Sequence, residues 1–131
     1  MAGAPDGPMP VEATALIPFV PAGADFAVAL AFFAELGFTP AWQASGLAGL
    51  QFGAAAFLLQ EIDAPDWAKN QMLILEVDDL DVYWNAIAEK RLDEHYAGVR
   101  LRAPTDFPWG REVHIIDPAG VCWHVRQTQP I

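Results

Sequence analysis

The sequence predicts an α+β fold in which the order strand, helix, strand, strand, strand occurs twice. Each half opens with an apolar run followed by a segment with apolar residues at helical spacing. Short apolar runs separated by turn residues follow each of the two helical segments. The order repeats after about 55 residues. The repeat lies in the order of the elements and not in residue identity, and it predicts two βαβββ modules.

The first module begins with an apolar strand over residues 15 to 20, in which Pro18 indicates a sheet edge or a bulge. The helix that follows is predicted to start after an N-cap at Asp25 and to end at Gly37. Its apolar stripe consists of Phe26, Leu30, Phe33 and Leu36. Three short strands then form a meander: 38 to 44, 47 to 52, and 55 to 61.

The second module repeats this order. Residues 72 to 77 are predicted to form a strand, and a helix follows that is capped by Asp78 or Asp79. The buried stripe of this helix is expected to contain Leu80, Tyr83 or Trp84, and Ile87. The remaining segments are a strand over 95 to 102, a loop over 103 to 110 and a closing hairpin. Trp84 and Trp123 are expected in the core between helix and sheet.

The length of 131 residues is that of one domain. We expect a flexible N-terminal arm over residues 1–13 and a single domain over 14–131, with modules at about 14–62 and 71–127. A hydrophobic content of 53% and a charged content of 18% indicate a globular chain. The opening segment lacks the apolar run of a signal peptide. The most apolar stretch, 15 to 38, is broken by prolines and carboxylates, which argues against a membrane span.

The charge balance limits the partners. Seven Lys and Arg stand against 17 Asp and Glu, a formal net charge of -10 with a pI near 4.4. A phosphate backbone or an anionic membrane would be repelled, so neither nucleic acid nor a membrane is expected. The charge suits a cationic ligand and also suits plain solubility, and the sequence leaves both open. The single cysteine, Cys122, excludes an internal disulfide and predicts a reducing, cytoplasmic location.

Chemistry-bearing residues concentrate between positions 110 and 127. The segment D-P-A-G, 117 to 120, has the residues of a type I turn, with Asp117 as the turn former. With Gly120 in the left-handed region, the hairpin is the three-residue type with a bulge. The predicted cross-strand pairs are then His114 with His124, Glu112 with Arg126, and Ile116 with Cys122.

Alternation along the hairpin sorts its side chains onto two faces. The apolar face, expected against the helices, consists of Val113, Ile115, Val121, Trp123 and Val125. The polar face consists of Glu112, His114, Cys122, His124 and Arg126. Opposed residues bring their Cβ atoms to about 4.5–5.5 Å, close enough for an ion pair and an imidazole pair. From the hairpin alone, the polar face is either a solvated sheet surface or the lining of a cavity.

Three segments resemble one known family. They are A-L-A-F-F-A-E-L-G-F (29 to 38), L-I-L-E-V-D-D-L-D (73 to 81) and H-I-I-D-P-A-G-V-C-W-H-V (114 to 125). In this order, over about residues 14 to 127, the chain resembles the glyoxalase/bleomycin-resistance/dioxygenase superfamily, also called vicinal oxygen chelate proteins. The resemblance implies two βαβββ modules whose mixed sheet curls around a cavity. It also implies a homodimer with pockets near the subunit interface, and it puts the polar face of the hairpin inside the cavity.

Enzymes of this superfamily hold a divalent metal with His or Glu on the first and last strands of each module. The corresponding positions in this chain are Ala15, Leu58 or Leu59, Met72 and His124. Of these side chains only His124 can donate to a metal. Gln60 or Glu61 could serve only if the register of the strand were shifted. The resemblance therefore implies neither a metal nor another cofactor. One alternative stays open, a zinc site of Glu112, His114 and His124 on two adjacent strands.

Because the chelating residues are missing, the chain resembles the bleomycin-resistance branch of the superfamily. The resemblance implies a small dimer that sequesters a drug without transforming it. We therefore predict a binding protein in preference to an enzyme, with a small aromatic or cationic ligand. The predicted ligand-binding residues are Glu112, His114, His124, Arg126, Cys122, Phe107, Trp109, Trp42 and Trp67. Two alternatives remain: a lyase, isomerase or dioxygenase-like enzyme with an atypical metal or a His/Glu acid–base pair, and an interaction module.

Overall fold

The computed structural model describes residues 7 to 129 and contains two four-stranded sheets with helices. The first module consists of β1 (Phe19–Pro21), α1 (Phe26–Leu36), β2 (Thr39–Ala44), β3 (Leu47–Phe52) and β4 (Ala55–Gln60). A short helix, α2 (Pro65–Asn70), connects it to the second module. The second module consists of β5 (Met72–Val77), α3 (Leu80–Ala88), α4 (Leu92–His95), β6 (Arg100–Phe107), β7 (Gly110–Ile116) and β8 (Cys122–Gln127).

The two sheets have the same topology. Their strand orders are β1-β4-β3-β2 and β5-β8-β7-β6, so each opening strand lies beside the closing strand of its own module. The opening strands pair in parallel, β1 with β4 and β5 with β8, and the other neighbours are antiparallel. This confirms the predicted α+β class with two βαβββ modules in mixed sheets. The sheets are open and do not close into a barrel.

Helix caps lie where side-chain chemistry predicts them. The Asp25 carboxylate accepts a hydrogen bond of 3.1 Å from the Val28 N–H, and Gly37 ends α1 with a φ of 112°. In α3 the cap is Asp79, which accepts from the Val82 N–H at 3.0 Å. Both aspartates satisfy an N–H that the first helical turn leaves without a partner. Of the two candidates for the second cap, Asp79 is therefore the one used.

One aromatic core joins the two modules. Trp123 of β8 is 4% exposed, and its ring lies 5.4 Å from that of Phe33, 5.9 Å from Phe38 and 5.1 Å from Phe57. These three phenylalanines belong to the first module, so a second-module side chain completes the first module's core. The prediction for Trp123 is confirmed, whereas Trp84 is half-buried at the edge of this core. In α1 the buried residues are Ala29, Phe32, Phe33 and Leu36, and Phe26 and Leu30 are only partly buried.

Polar contacts at the end of α1 also join the modules. The Tyr83 hydroxyl donates to the Leu36 carbonyl at 2.8 Å, and the Tyr96 hydroxyl donates to the Glu35 carboxylate at 2.8 Å. Both tyrosines belong to the second module. Burial raises the pKa of Tyr83, and burial followed by the Glu35 carboxylate raises the pKa of Tyr96 to about 12.

The opening strand is shorter than predicted. Of the predicted strand over 15 to 20, only its last two residues belong to β1, which begins at Phe19. The Pro18 carbonyl accepts from the Leu58 N–H at 2.9 Å, but proline has no N–H with which to extend the ladder. Ala15 therefore precedes the sheet. The sequence pattern also missed α2, which begins with Pro65 at its first turn.

The segment before the hairpin differs from prediction as well. Residues 92 to 95 form α4, so the strand predicted over 95 to 102 begins later, and β6 (Arg100–Phe107) extends through residues 103 to 107, where a loop was predicted. The strand accommodates Pro104 because it is the edge strand and because its register shifts between Arg102 and Thr105. Edge strands and bulges are the places where a sheet tolerates proline.

Residues 7 to 18 form neither helix nor strand, and most of them are exposed. The flexibility expected of residues 1–13 stays a prediction, and residues 1 to 6 lie outside the described part of the chain. No helix between residues 7 and 129 has both the length and the apolar character needed to cross a bilayer.

Candidate functional site

The closing hairpin has the predicted register. Glu112 pairs with Arg126, His114 with His124, and Ile116 with Cys122. Val113, Ile115, Val121 and Val125 are fully buried, and they lie on the helix-covered face with Trp123. The polar residues project from the opposite, open face of the second sheet.

A buried carboxylate holds the turn of this hairpin. Asp117 is 1% exposed, and its Oδ1 accepts from the N–H groups of Ala119, Gly120 and Val121 at 2.9, 3.0 and 3.0 Å. Its Oδ2 accepts from the Trp123 indole N–H at 3.0 Å. The turn is thereby tied to the core, because the same carboxylate bonds the turn and a core side chain. This fixes the relative position of β7 and β8, and with it the polar face.

Glu112 is the centre of the polar face. It is 3% exposed, and its Oε1 accepts from His114 Nε2 at 2.9 Å and from His124 Nδ1 at 3.0 Å. Burial by itself would raise the pKa of Glu112, but hydrogen bonds from His114, His124 and Trp109 outweigh it and lower this pKa. The two imidazole rings lie 4.5 Å apart in an edge-on arrangement, as a pair of opposed histidines predicts.

Arg126 makes a different ion pair from the predicted one. Its Nε donates to Glu76 Oε2 at 2.9 Å, and Glu76 lies opposite Arg126 on the parallel strand β5. Glu112 remains the antiparallel partner of Arg126 by register, but its carboxylate is taken by the histidines. The predicted Glu112–Arg126 ion pair is therefore wrong. The hairpin alone does not show that β5 supplies a competing carboxylate.

Aromatic rings stack beside the histidine pair. The rings of Trp109 and Phe107 are 5.0 Å apart and tilted by 6°, and those of Phe107 and His114 are 4.8 Å apart and tilted by 15°. The Arg102 guanidinium lies 6.0 Å from the Phe107 ring centre. Trp109 is 61% exposed at the outer end of this column, so one face of the stack is open to a ligand.

Two hollows border the column. One has a volume of about 300 Å³ and is lined by Met72, Leu73, Ile74, Trp109, Glu112, His124 and Arg126. The other has a volume of about 290 Å³ and is lined by Arg100, Leu101, Arg102, His114, Ile116 and Cys122. The open face of the second sheet therefore offers an apolar wall on the β5 side and a cationic wall on the β6 side.

Cys122 is part of the same hydrogen-bonded group. Its sulfur lies 3.6 Å from His124 Nε2. Burial raises the pKa of the Cys122 thiol, and the charges of Glu112 and Asp117 raise it further. The thiol is therefore protonated near neutral pH, and it suits the role of a weak donor to the imidazole better than that of a nucleophile.

Of the positions that the resemblance assigns to metal chelation, His124 carries a donor side chain and the others do not. The open-face residue of β5 opposite His124 is Ile74, and the open-face residue of β1 is Phe19, which pairs with Leu58. Leu59 is fully buried in the core. Met72 is 70% exposed on the open face beside Cys122. None of the side chains of Phe19, Leu58 and Ile74 offers an oxygen or nitrogen atom to a cation.

Seven of the nine predicted ligand-binding residues lie together on the open face of the second sheet, and two lie elsewhere. Trp42 is on the outer strand of the first sheet, where its indole covers Gly49. Trp67 is on α2, and its indole donates to the Gln71 side chain at 3.0 Å.

The sequence reasoning also missed residues that line the site: Ile74, Glu76, Arg100 and Arg102. Alternation along the strand over 72 to 77 would have put Met72, Ile74 and Glu76 on one face. It would not have identified the neighbouring strand, and for Arg100 and Arg102 the predicted boundary between strand and loop obscured the pattern.

Comparison with known proteins identifies solved structures of the same fold. No family model matches the chain, and no curated protein matches its sequence. A bleomycin-binding protein in complex with bleomycin is 25% identical, with a TM-score of 0.76 over 89% of this chain and 100% of the other. A bleomycin resistance determinant encoded on the transposon Tn5 is 24% identical, with a TM-score of 0.77 over 90% and 100%. The bleomycin-binding protein of Streptomyces verticillus with copper(II)-bleomycin is also 24% identical, with a TM-score of 0.76 over 91% and 99%.

These findings confirm the resemblance that the sequence motifs predict. The chain has the fold of the glyoxalase/bleomycin-resistance/dioxygenase superfamily, with two open mixed sheets of identical topology. The solved structures of this fold to which the chain is similar include bleomycin-binding and bleomycin-resistance proteins.

Proposed function

We propose that this chain is a non-catalytic protein that sequesters a drug of the bleomycin class and holds the drug's planar aromatic end on the open face of the second sheet. Binding would use stacking and hydrogen bonds and would need no metal at the superfamily's chelating positions. The observation that carries the proposal is the aromatic column of Trp109, Phe107 and His114 next to an open hollow of about 300 Å³. Structural neighbours that bind bleomycin support the same class of ligand.

The geometry of the hollow suits a flat ring system with polar substituents. Met72 and Ile74 are 70% and 57% exposed and form an apolar wall beside the outer face of Trp109. A ring inserted between them would bury this surface, and stacking adds about 0.5–1.5 kcal/mol for each aromatic pair. Arg126, His124 and Glu112 supply polar groups in the lining of this hollow. This combination of apolar walls with a few polar groups is typical of small-molecule sites.

Charge supports the encounter with such a ligand. The net charge of -10 creates a field that attracts a cationic drug over a distance of about one Debye length, roughly 8–10 Å at moderate salt. Arg100 and Arg102 line the neighbouring hollow and repel the cationic part of the ligand there, whereas the hollow beside Trp109 offers apolar walls and an exposed indole. We therefore expect the aromatic end of a cationic ligand to occupy the hollow beside Trp109.

Isothermal titration calorimetry with metal-free bleomycin tests the proposal. We expect saturable binding, and we expect Trp109→Leu to weaken it by about 2- to 12-fold, the equivalent of one lost stacking contact. Trp84→Phe is the matched control, because Trp84 lies at the edge of the core on the helix side of the sheet. Absence of heat at high micromolar bleomycin at two well-separated temperatures would exclude this drug class, because apolar burial changes the binding enthalpy with temperature. Equal affinities of the Trp109→Leu variant and the wild type would exclude this hollow.

A second candidate function is catalysis by the same polar group. Cys122, His124 and Glu112 form a continuous hydrogen-bonded chain, which is the arrangement of an imidazole base oriented by a carboxylate. A lyase or isomerase would use His124 in this way. Mass spectrometry and proton NMR of the ligand after prolonged incubation distinguish the two functions. Sequestration returns the ligand unchanged, and any new product would favour the enzyme.

We also propose that the protein acts as a cytoplasmic homodimer, as the resemblance implies. Each protomer exposes large apolar side chains on or beside its opening strands, among them Leu16 at 93%, Phe19 at 48% and Met72 at 70%. Pairing two chains would cover such surface, which monomers seldom leave open. Analytical ultracentrifugation at micromolar concentration is expected to give twice the mass of 14.3 kDa. Sedimentation as a single 14.3 kDa species would contradict the dimer.

A further inference from the structure

Glu112, His114 and His124 bring three potential metal ligands together on strands β7 and β8. One ligand atom from each residue lies within 4.8 Å of the others. The distances from Glu112 Oε1 to His114 Nε2 and His124 Nδ1 are 2.9 and 3.0 Å. With metal–ligand bonds of about 2.0–2.1 Å, two ligands at a right angle are about 2.9 Å apart and two at the tetrahedral angle about 3.4 Å apart. The two separations from Glu112 are thus already as short as those between neighbouring ligands of one ion, and the two histidine nitrogens lie within 4.8 Å of each other.

The donor set selects the kind of ion. Two imidazoles with one carboxylate suit zinc, iron(II), cobalt(II) and nickel(II), whereas calcium and magnesium prefer oxygen ligands alone. Three ligands from one side leave the remaining coordination positions free. Glu112 and His124 line the hollow on the β5 side and His114 lines the hollow on the β6 side, so free positions would face both hollows.

The two imidazoles that now hydrogen-bond to Glu112 can become metal ligands without a net loss of protons. An ionised carboxylate only accepts, so neutral His114 carries its proton on Nε2 and neutral His124 on Nδ1. Binding a cation moves each proton to the other ring nitrogen. For His124 that nitrogen is Nε2, which lies 3.6 Å from the Cys122 sulfur and finds an acceptor there. Such a second contact is typical of histidines that bind metals.

Neighbouring groups hold the three ligands in place before any ion binds. The His114 ring is stacked on Phe107 at 4.8 Å and meets the His124 ring at 4.5 Å. Glu112 is 3% exposed, and a carboxylate removed from water attracts a dication more strongly than one on the surface. Because these side chains are already held in place, they lose less conformational entropy when an ion binds.

We propose that Glu112, His114 and His124 form a site for one divalent transition-metal ion on adjacent strands, a set that shares only His124 with the chelating positions implied by the superfamily's enzymes. The site goes beyond the proposed drug binding and does not depend on it. A resident ion there would give the hollow a Lewis acid, so that ligands with a free nitrogen or oxygen donor would gain a direct bond to the protein-held metal.

The test uses the full chain without an affinity tag, freed of metal by a chelator and dialysed. Calorimetric titration with zinc, cobalt(II) or nickel(II), in the absence of any drug, is expected to show one ion per chain. His114→Gln and His124→Gln are each expected to weaken binding by at least about 100-fold. His95→Gln is the matched control, because the third histidine lies on α4 and bonds to the Lys90 carbonyl. This variant is expected to bind as the wild type does.

A second measurement keeps the test decisive if a variant fails to fold. In nitrogen-15 spectra of the wild-type histidine side chains, zinc should shift the signals of His114 and His124 and leave those of His95 unchanged. The proposal is overturned if none of the three ions binds at about 100 μM. It is also overturned if folded His114→Gln and His124→Gln bind as the wild type does, or if zinc leaves both imidazoles unshifted. None of these outcomes depends on bleomycin, so drug binding and metal binding succeed or fail separately.

Discussion

The hydrogen bond between Asp117 and Trp123 offers a quantitative test of how the site is anchored to the core. In Asp117→Asn, Oδ1 still accepts from the three N–H groups of the turn. An amide group replaces Oδ2 and faces the indole N–H that was bonded at 3.0 Å. Two buried donors then oppose each other, and leaving such groups unpaired costs about 1–3 kcal/mol. The turn's hydrogen bonds also lose their charge assistance, so we expect a total loss of about 2–4 kcal/mol.

A double-mutant cycle isolates this contact. Trp123→Phe removes the donor and leaves a carboxylate oxygen unpaired, and it also removes packing against the first module. In the double variant the new amide no longer opposes a donor, so we expect the combined loss to be about 1–2 kcal/mol smaller than the sum of the single losses. The lost packing is common to both backgrounds and cancels in the cycle.

The assay is urea-induced unfolding followed by far-ultraviolet circular dichroism at one fixed protein concentration. The control is Asp66→Asn, since the Asp66 side chain is 99% exposed and its nearest cation, Lys69, is 3.8 Å away. That variant should change the free energy of unfolding by no more than about 0.5 kcal/mol. A loss below about 1 kcal/mol for Asp117→Asn, or additive losses in the cycle, would refute the reasoning.

Two further predictions concern the contacts between modules. A Cβ atom at Gly23 would lie 3.0 Å from the Cα of Ala119, whereas at Gly53 it would meet nothing within 4 Å, and both glycines have positive φ. In urea unfolding, Gly23→Ala should therefore lose about 1–3 kcal/mol more than Gly53→Ala, and equal losses would contradict a close approach of the modules. Tyr83 and Tyr96 both have raised pKa values, so their protonated forms stabilise the fold fully below pH 10. For Tyr96, whose pKa is about 12, this stabilisation is lost as pH rises through 12. Tyrosinate absorbance at about 295 nm should stay low in the folded chain at a pH of about 11, and early ionisation without unfolding would show that the phenols are not buried.

Interactions between residues that are close in sequence predicted much of the secondary structure. Helix caps at Asp25 and Asp79, the turn at Asp117 and the faces of the closing hairpin follow from interactions within a few residues of each other. The second half of β6, residues 103 to 107, was mispredicted because Pro104 is a loop signal in sequence but lies at a register shift of an edge strand. Whether a proline ends a strand or occupies its edge depends on the neighbour that the strand pairs with.

The sequence by itself determined the βαβββ order of both modules, the register of the last hairpin and the side-chain set on its polar face, because turn chemistry and period-two alternation act over short distances. The tertiary structure decided which charges meet. Parallel pairing of β5 with β8 brings Glu76 to Arg126 across 50 positions and leaves Glu112 buried between two imidazoles. The ion pairs of a sheet face depend on all the strands beside it, and the identity of a neighbouring strand is a property of the whole fold.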